Sequence, residues 1–228
     1  MPDTKPINAN IDEHEGIAWL TLSRPEKKNA LSIALLTELS NLLRSLAEND
    51  KIRCIVTTGA GDSYSSGRDL YDMRGQDNRR RTRGFGGVAE IVDIMRKLPQ
   101  VTVAKVRGWC LGGGLALING HDLVISAESA KFGMPEVIRG SYGATATPSL
   151  FHAGIPFKKA FYISLTAHFK DKSSAFFQII VDAFNRILLI IYPMQCCIRK
   201  DCIKFFIKLK IGSISYFESD IRVIYLCF

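Results

Sequence analysis

An α/β fold is predicted by three features of this 228-residue sequence. Runs rich in β-branched residues lead into glycine-rich turns, and the turns lead into stretches with apolar residues at helical spacing. That strand-turn-helix unit occurs at least twice. The composition, 47% hydrophobic and 23% charged, suits one sizeable core and argues against a disordered or fibrous chain.

Residues 7–23 alternate around a Glu-Gly turn (INANIDEH, EG, IAWLTLS), which predicts a β-hairpin. After the RPEKKNAL loop, Ser32 is placed to cap a helix, because its hydroxyl can accept a first-turn N–H. Leu35, Leu39, Leu42 and Leu46, with Leu36 and Leu43 beside them, fall at three- and four-residue spacing. That helix runs to about Glu48, and its stripe reads as core rather than as a binding surface. CIVTTG is a strand that ends in GAGDSYSSGRDL. A second helical pattern runs from Val88 to Leu98, VTVAKV is a strand, residues 114–119 form a short helix, and DLVISAE at 122–128 is a further strand. Ligands of such sheets gather where strand ends meet helix starts, because unsatisfied backbone N–H groups point outward there.

The last third differs. Glycine is frequent up to Gly154, yet only Gly212 follows, while isoleucine, phenylalanine, lysine and cysteine crowd the run from Phe176 to Phe228. Neither a helical nor a period-two pattern persists there. Segments such as CIKFFIKLKIGSISYF are strands by propensity but would expose apolar edges. The chain therefore divides into a core at 1–170 and an atypical tail at 171–228, for which no fold is predicted.

The N-terminal MPDTKPINANIDEHEG has no apolar run behind a basic start and is too acidic for a transit peptide, so a cytoplasmic location is expected. No stretch approaches the ~20 apolar residues of a membrane helix, and RILLIIY, from Arg186 to Tyr192, is cut short by Pro193. The six cysteines and four histidines show no metal-like spacing, so reduced thiols and no metal are expected, with Cys54 and Cys110 buried in strands. The net charge of +8 would attract nucleic acid, acidic lipid or a phosphate-bearing ligand alike.

The segment GWCLGGGLALINGHD, residues 108–122, sets three glycines between a strand-like and a helix-like run. Glycine costs either element about 0.5–1 kcal/mol relative to alanine, so bare backbone at that junction has a use. Two N–H groups converging on one oxygen make an oxyanion hole, each donor stabilising a transition state by about 3 kcal/mol. LGGGLA offers one donor and SSGRDL another; the plainer reading of each is a tight turn with glycine at positive φ. The phosphate-loop pattern G-x-x-x-x-G-K-[ST] and the dinucleotide pattern G-x-G-x-x-G are both absent.

RPEKKNALS, GAGDSYSSGRDL and VRGWCLGGGLALINGHDLVISAESAKFGMPEV, in that order, resemble the crotonase, or enoyl-CoA hydratase/isomerase, superfamily over about residues 8 to 165. The resemblance implies a spiral of ββα units and a site for a coenzyme A thioester, with no cofactor beyond the coenzyme A of the substrate. Position by position it implies oxyanion-hole N–H groups at Arg68 and Gly113, with Lys27, Ser66 and Gly67 bordering the coenzyme A. As a carboxyl in an apolar pocket, Glu136 of KFGMPEV would carry the proton. Hydratases of this family use two glutamates, and the first would fall at Ala116, which cannot activate water. Double-bond isomerases and hydratase-lyases acting on aromatic acyl-CoAs remain as readings, although the tyrosine of those lyases aligns with Met73, near Tyr71. SYGATATPSL, from Ser141 to Leu150, departs from the glycine-rich loop of many relatives, which implies an atypical acyl group.

Relatives continue into a C-terminal helical subdomain that covers the site and helps build trimers or pairs of trimers. Here that subdomain is expected to be absent or replaced, which puts a homotrimer or hexamer in question. The tail's composition suggests a frame change or an unspliced segment, an idea that an intact-frame transcript encoding it would remove. Two rival readings follow: a catalytically inactive scaffold, from Ala116 and the tail, and an RNA-binding relative, from the arginine cluster NRRRTRG at 78–84. The cluster lacks interleaved aromatics, and a solvated loop is its plainer reading, so nucleic acid is the weaker partner.

Overall fold

The computed structural model describes residues 6–74, 87–127, 129–144 and 146–167. The tail at 171–228 and the arginine cluster at 78–84 lie outside the described residues. The predicted hairpin forms as β1 (Ile7–Asp12) and β2 (Ile17–Leu22), antiparallel, with Gly16 at φ +74° closing the turn. Parallel strands β3 (Cys54–Gly59), β4 (Val101–Val106) and β6 (Leu123–Ser126) then add in turn, giving the order β1-β2-β3-β4-β6. A separate parallel pair joins β5 (Trp109–Leu111) to β7 (Lys131–Gly133).

Helix α1 (Ile33–Ala47) begins where expected, with Ser32 Oγ accepting the Leu35 N–H at 3.2 Å. Its leucines 35, 36, 39, 43 and 46 are buried, so the stripe is core, as its spacing implied. They pack with α3 (Val88–Met95) and with α4 (Gly113–Ile118) against Ala18, Leu20, Leu22, Ile55, Ala104 and Val106 of the sheet. The other sheet face carries a smaller cluster of Ile17, Cys54, Val56 and Val103, as period-two alternation requires. Three short or late helices complete the described fold: α2 (Leu70–Arg74), α5 (Ala146–His152) and α6 (Phe157–Thr166). Cys54 and Cys110 are buried in strands, and neither forms a disulfide with a described residue. Among the described residues, no helix is long and apolar enough to cross a membrane.

Three elements differ from the sequence reading in their boundaries. Helix α3 stops at Met95 rather than Leu98, because Leu98 precedes Pro99 and the residue before proline is pushed out of the helical region. Helix α4 starts one residue early, at Gly113, because Gly112 at φ +47° occupies the cap. β6 is shorter than 122–128 at both ends: the Asp122 carboxylate turns back to accept from the Thr102 N–H and hydroxyl, both at 2.8 Å.

What positions the site is a second small layer assembled from four distant segments. Leu31 of the RPEKKNAL loop bridges Arg68, Ser65 bridges Cys110 of β5, and Cys110 pairs with Phe132 of β7. The two glycine-bearing turns therefore lie side by side.

Candidate active site

The turn that carries Arg68 is gripped on both flanks. The Gly67 carbonyl accepts from Leu31 N–H at 2.8 Å, and Asp69 N–H donates to the Leu31 carbonyl at 3.1 Å. In such a parallel bridge the groups that pair with Leu31 belong to Arg68's neighbours, so Arg68's own N–H points to the opposite side. On the other flank, Leu111 N–H donates to the Ser65 carbonyl at 3.0 Å. Gly67 sits at φ +92°, and a Cβ there would come within 2.9 Å of the Leu111 carbonyl oxygen and 3.3 Å of the Gly113 nitrogen. Reciprocally, a Cβ on Gly113 would lie 3.3 Å from the Arg68 nitrogen. Only glycine permits the two backbones to approach this closely. Gly113 is the first residue of α4, so its N–H has no acceptor within the helix.

Glu136 lies against this junction. It stands in a 3-10 turn, Pro135–Arg139, that begins with a proline and ends at Gly140 in the left-handed region. Its carboxyl packs on Gly112, the residue before Gly113: a Cβ on Gly112 would collide with Oε1 and reach to 3.0 Å from Cδ. From the other side Gly143, in the SYGATATPSL segment, would bring a Cβ to 3.7 Å from Cδ and into the Met134 methyl. The carboxyl is half-buried, and Oε2 has no hydrogen-bond partner. Burial pushes its pKa above the ordinary 4.5, with only its own backbone amide opposing.

Around the junction lies a set of polar braces that motif reading did not single out. Buried Asn29, at φ +53°, donates from its amide to the Ala60 and Ser63 carbonyls, both at 2.8 Å, and accepts the Arg24 N–H at 2.9 Å. Arg24 reaches the Asp69 carboxylate at 2.9 Å and the Ala30 carbonyl at 2.8 Å. Burial would raise Asp69, but Arg24, the Tyr71 N–H and the charge of Lys27 together hold it below the ordinary 3.8. The signal available beforehand was the unusual density of Arg, Asn and Asp in two short loops.

The other predicted residues divide between the junction and the surface. Ser66 joins the RPEKKNAL loop: its hydroxyl donates to the Lys27 carbonyl at 3.0 Å and its N–H to the Lys28 carbonyl at 2.8 Å. Lys27 is exposed, with Nζ 5.5 Å from the centre of the Tyr71 ring. Tyr71 is 73% exposed, so its ring lies on the Lys27 side at the surface. Ala116 is fully buried in the main apolar core and brings no polar group to the site. No cluster of histidine, cysteine, aspartate or glutamate that could hold a metal occurs among the described residues.

Known proteins resemble this chain in sequence and in fold. The chain is 35% identical over 129 residues to a mevalonyl-coenzyme A hydratase of Aspergillus fumigatus, covering 54% of this chain and 46% of that protein. It is 36% identical over 125 residues to the 1,2-epoxyphenylacetyl-CoA isomerase of Escherichia coli, covering 53% and 47%. The chain thus spans about half the length of these curated relatives. The fold superposes on an enoyl-CoA hydratase of Mycobacterium smegmatis with a TM-score of 0.72 and 26% identity, covering 78% of this chain and 68% of that one. The family described as enoyl-CoA hydratase/isomerase matches residues 12–176, and the chain belongs to that crotonase family.

Proposed function

We propose that the chain is the substrate-binding core of an acyl-CoA enzyme that stabilises a thioester enolate and moves one proton with Glu136. The observation that carries this reading is the packing of the Glu136 carboxyl on Gly112, beside the turn where Gly113 abuts Gly67 and Arg68. In the proposed complex the thioester oxygen accepts from the Arg68 and Gly113 N–H groups. The Glu136 carboxylate removes a proton from a carbon near the carbonyl, and the electron pair of that C–H bond moves into the enolate held by the two amides. The protonated Glu136 then returns its proton to a different carbon.

Double-bond migration is the outcome a single carboxyl supports best. Hydration with two cooperating acids needs a second carboxylate, and Ala116 provides none. A raised carboxyl pKa, brought toward the working pH, suits a group that must both take and give a proton. Lys27, Ser66 and Gly67 border the coenzyme A in this reading. A cytoplasmic location belongs to the same proposal; the homotrimer or hexamer expected for the family is in question with this tail, and size-exclusion chromatography of the full chain tests it.

The test is product analysis of the full chain with a panel of enoyl-CoA and aryl-enoyl-CoA thioesters. Migrated double bonds support the reading; hydrated or cleaved products keep the enolate but change the reaction. No turnover of any panel member, with the chain folded, favours an inactive scaffold, the reading that Ala116 supports.

A further inference from the structure

Beneath the two turns runs a chain of buried polar groups that the proposed chemistry does not use. The Tyr64 hydroxyl lies 2.8 Å from Thr57 Oγ1, which lies 2.8 Å from His121 Nε2, while His121 Nδ1 lies 3.0 Å from the Leu117 carbonyl. All three side chains are buried. A carbonyl can only accept, so Nδ1 carries the histidine proton. Nε2 then accepts from the Thr57 hydroxyl, whose oxygen accepts from Tyr64. The bonds all point one way, from Tyr64 through β3 to the last turn of α4.

The ends of this chain meet the two amide-bearing segments. Tyr64 opens the turn that reaches Arg68 four positions later, and Leu117 lies one helical turn after Gly113. Thr57, between them, is fixed in the middle of β3. We infer that Tyr64, Thr57 and His121 are positioning residues that set the spacing of the Arg68 and Gly113 amides; the inference rests on the enolate reading above. Core filling alone gives no reason for these groups, since Phe and Val would occupy the same space without polar atoms to satisfy. What hydroxyls and a ring nitrogen add is fixed distance and direction.

The experiment uses the full chain and the variants Tyr64→Phe, Thr57→Val and Thr57→Ser, with cinnamoyl-CoA as probe. Its conjugated thioester absorbs at longer wavelength when the carbonyl is polarised, so the red shift on binding reads the two amides directly. Steady-state turnover is measured alongside on the best substrate of the panel. Thr57→Val is expected to lower kcat about tenfold, less than the loss of a whole donor, to leave KM within about twofold, and to shrink the red shift. Thr57→Ser, which keeps the hydroxyl, should restore both, and Tyr64→Phe should follow Thr57→Val. Parental red shift and kcat in folded Thr57→Val and Tyr64→Phe overturn the inference, as does failure of Thr57→Ser to restore them. Should Thr57→Val not fold, Tyr64→Phe decides; if neither folds, the chain serves stability and the inference falls. Absence of any red shift in the parent removes the oxyanion reading itself, and this inference with it.

Discussion

Two carboxyls flank the same pair of turns and are treated oppositely. Asp69 follows Arg68 directly and is well buried, yet Arg24 at 2.9 Å and the Tyr71 N–H at 3.0 Å satisfy it and hold its pKa low. Glu136, beside Gly113's turn, forms no ion pair with a cation among the described residues, has an Oε2 with no hydrogen-bond partner, and is pushed up by burial. Under the proposed function, the contrast separates a brace from a proton carrier. A carboxylate whose lone pairs are filled stays ionised and holds structure, whereas one left desolvated is poised to exchange a proton.

Exchanging the groups one at a time breaks the comparison in order of effect. Glu136→Gln should lower turnover about 10³-fold, the scale of a positioned acid-base group, while circular dichroism shows a native fold. Gly112→Ala acts on the same carboxyl from beneath. Its Cβ would displace Oε1, and φ +47° with ψ −109° is a conformation an L side chain rarely adopts. Turnover should fall about 100-fold, the cost of a shift near 1 Å in a reacting group, with a lower melting temperature as well. Asp69→Asn should act mainly on stability. Breaking a buried ion pair costs about 3–5 kcal/mol, and the 23% exposure of the Arg24 side chain reduces the expectation to about 2 kcal/mol, measurable by urea unfolding.

The half of the site that proves easiest to recognise in the sequence is the half made of glycine. Gly67 and Gly113 stand out because they interrupt strand-to-helix transitions, and α1 is legible because Ser32 precedes a leucine stripe. The remainder is long-range. Strands β5 and β7 have three residues each, too few to show a period, and they exist because Ser65, Cys110 and Phe132 meet across the fold. The amide of Asn29 finds its acceptors 31 and 34 positions away, and Thr57 meets His121 at a separation of 64. Nothing local marks such residues as partners, because the bonds form only after the sheet has brought its edges together.

The smallest expected effect is also the one that sharpens the contrast most, since the two carboxyls should give stability curves of opposite sign against pH. Glu136 has a folded pKa raised above 4.5, so the folded state holds its proton longer; stability is full below 4.5 and is lost as pH rises through the folded value. Glu136→Gln should therefore melt above the parent at neutral pH and with it in acid. Asp69 has a folded pKa below 3.8, so its contribution is present above 3.8 and is lost as pH falls through the folded value. Asp69→Asn should accordingly melt below the parent at neutral pH and converge on it in acid. His121, lowered by burial from 6.5 to about 4, withdraws stability from every one of these proteins as pH falls between those values. It cancels in the differences, so thermal scans of parent and variants from pH 7 to pH 3 isolate the two carboxyls. Parallel rather than opposed difference curves would show that Glu136 is paired in solution and is no proton carrier.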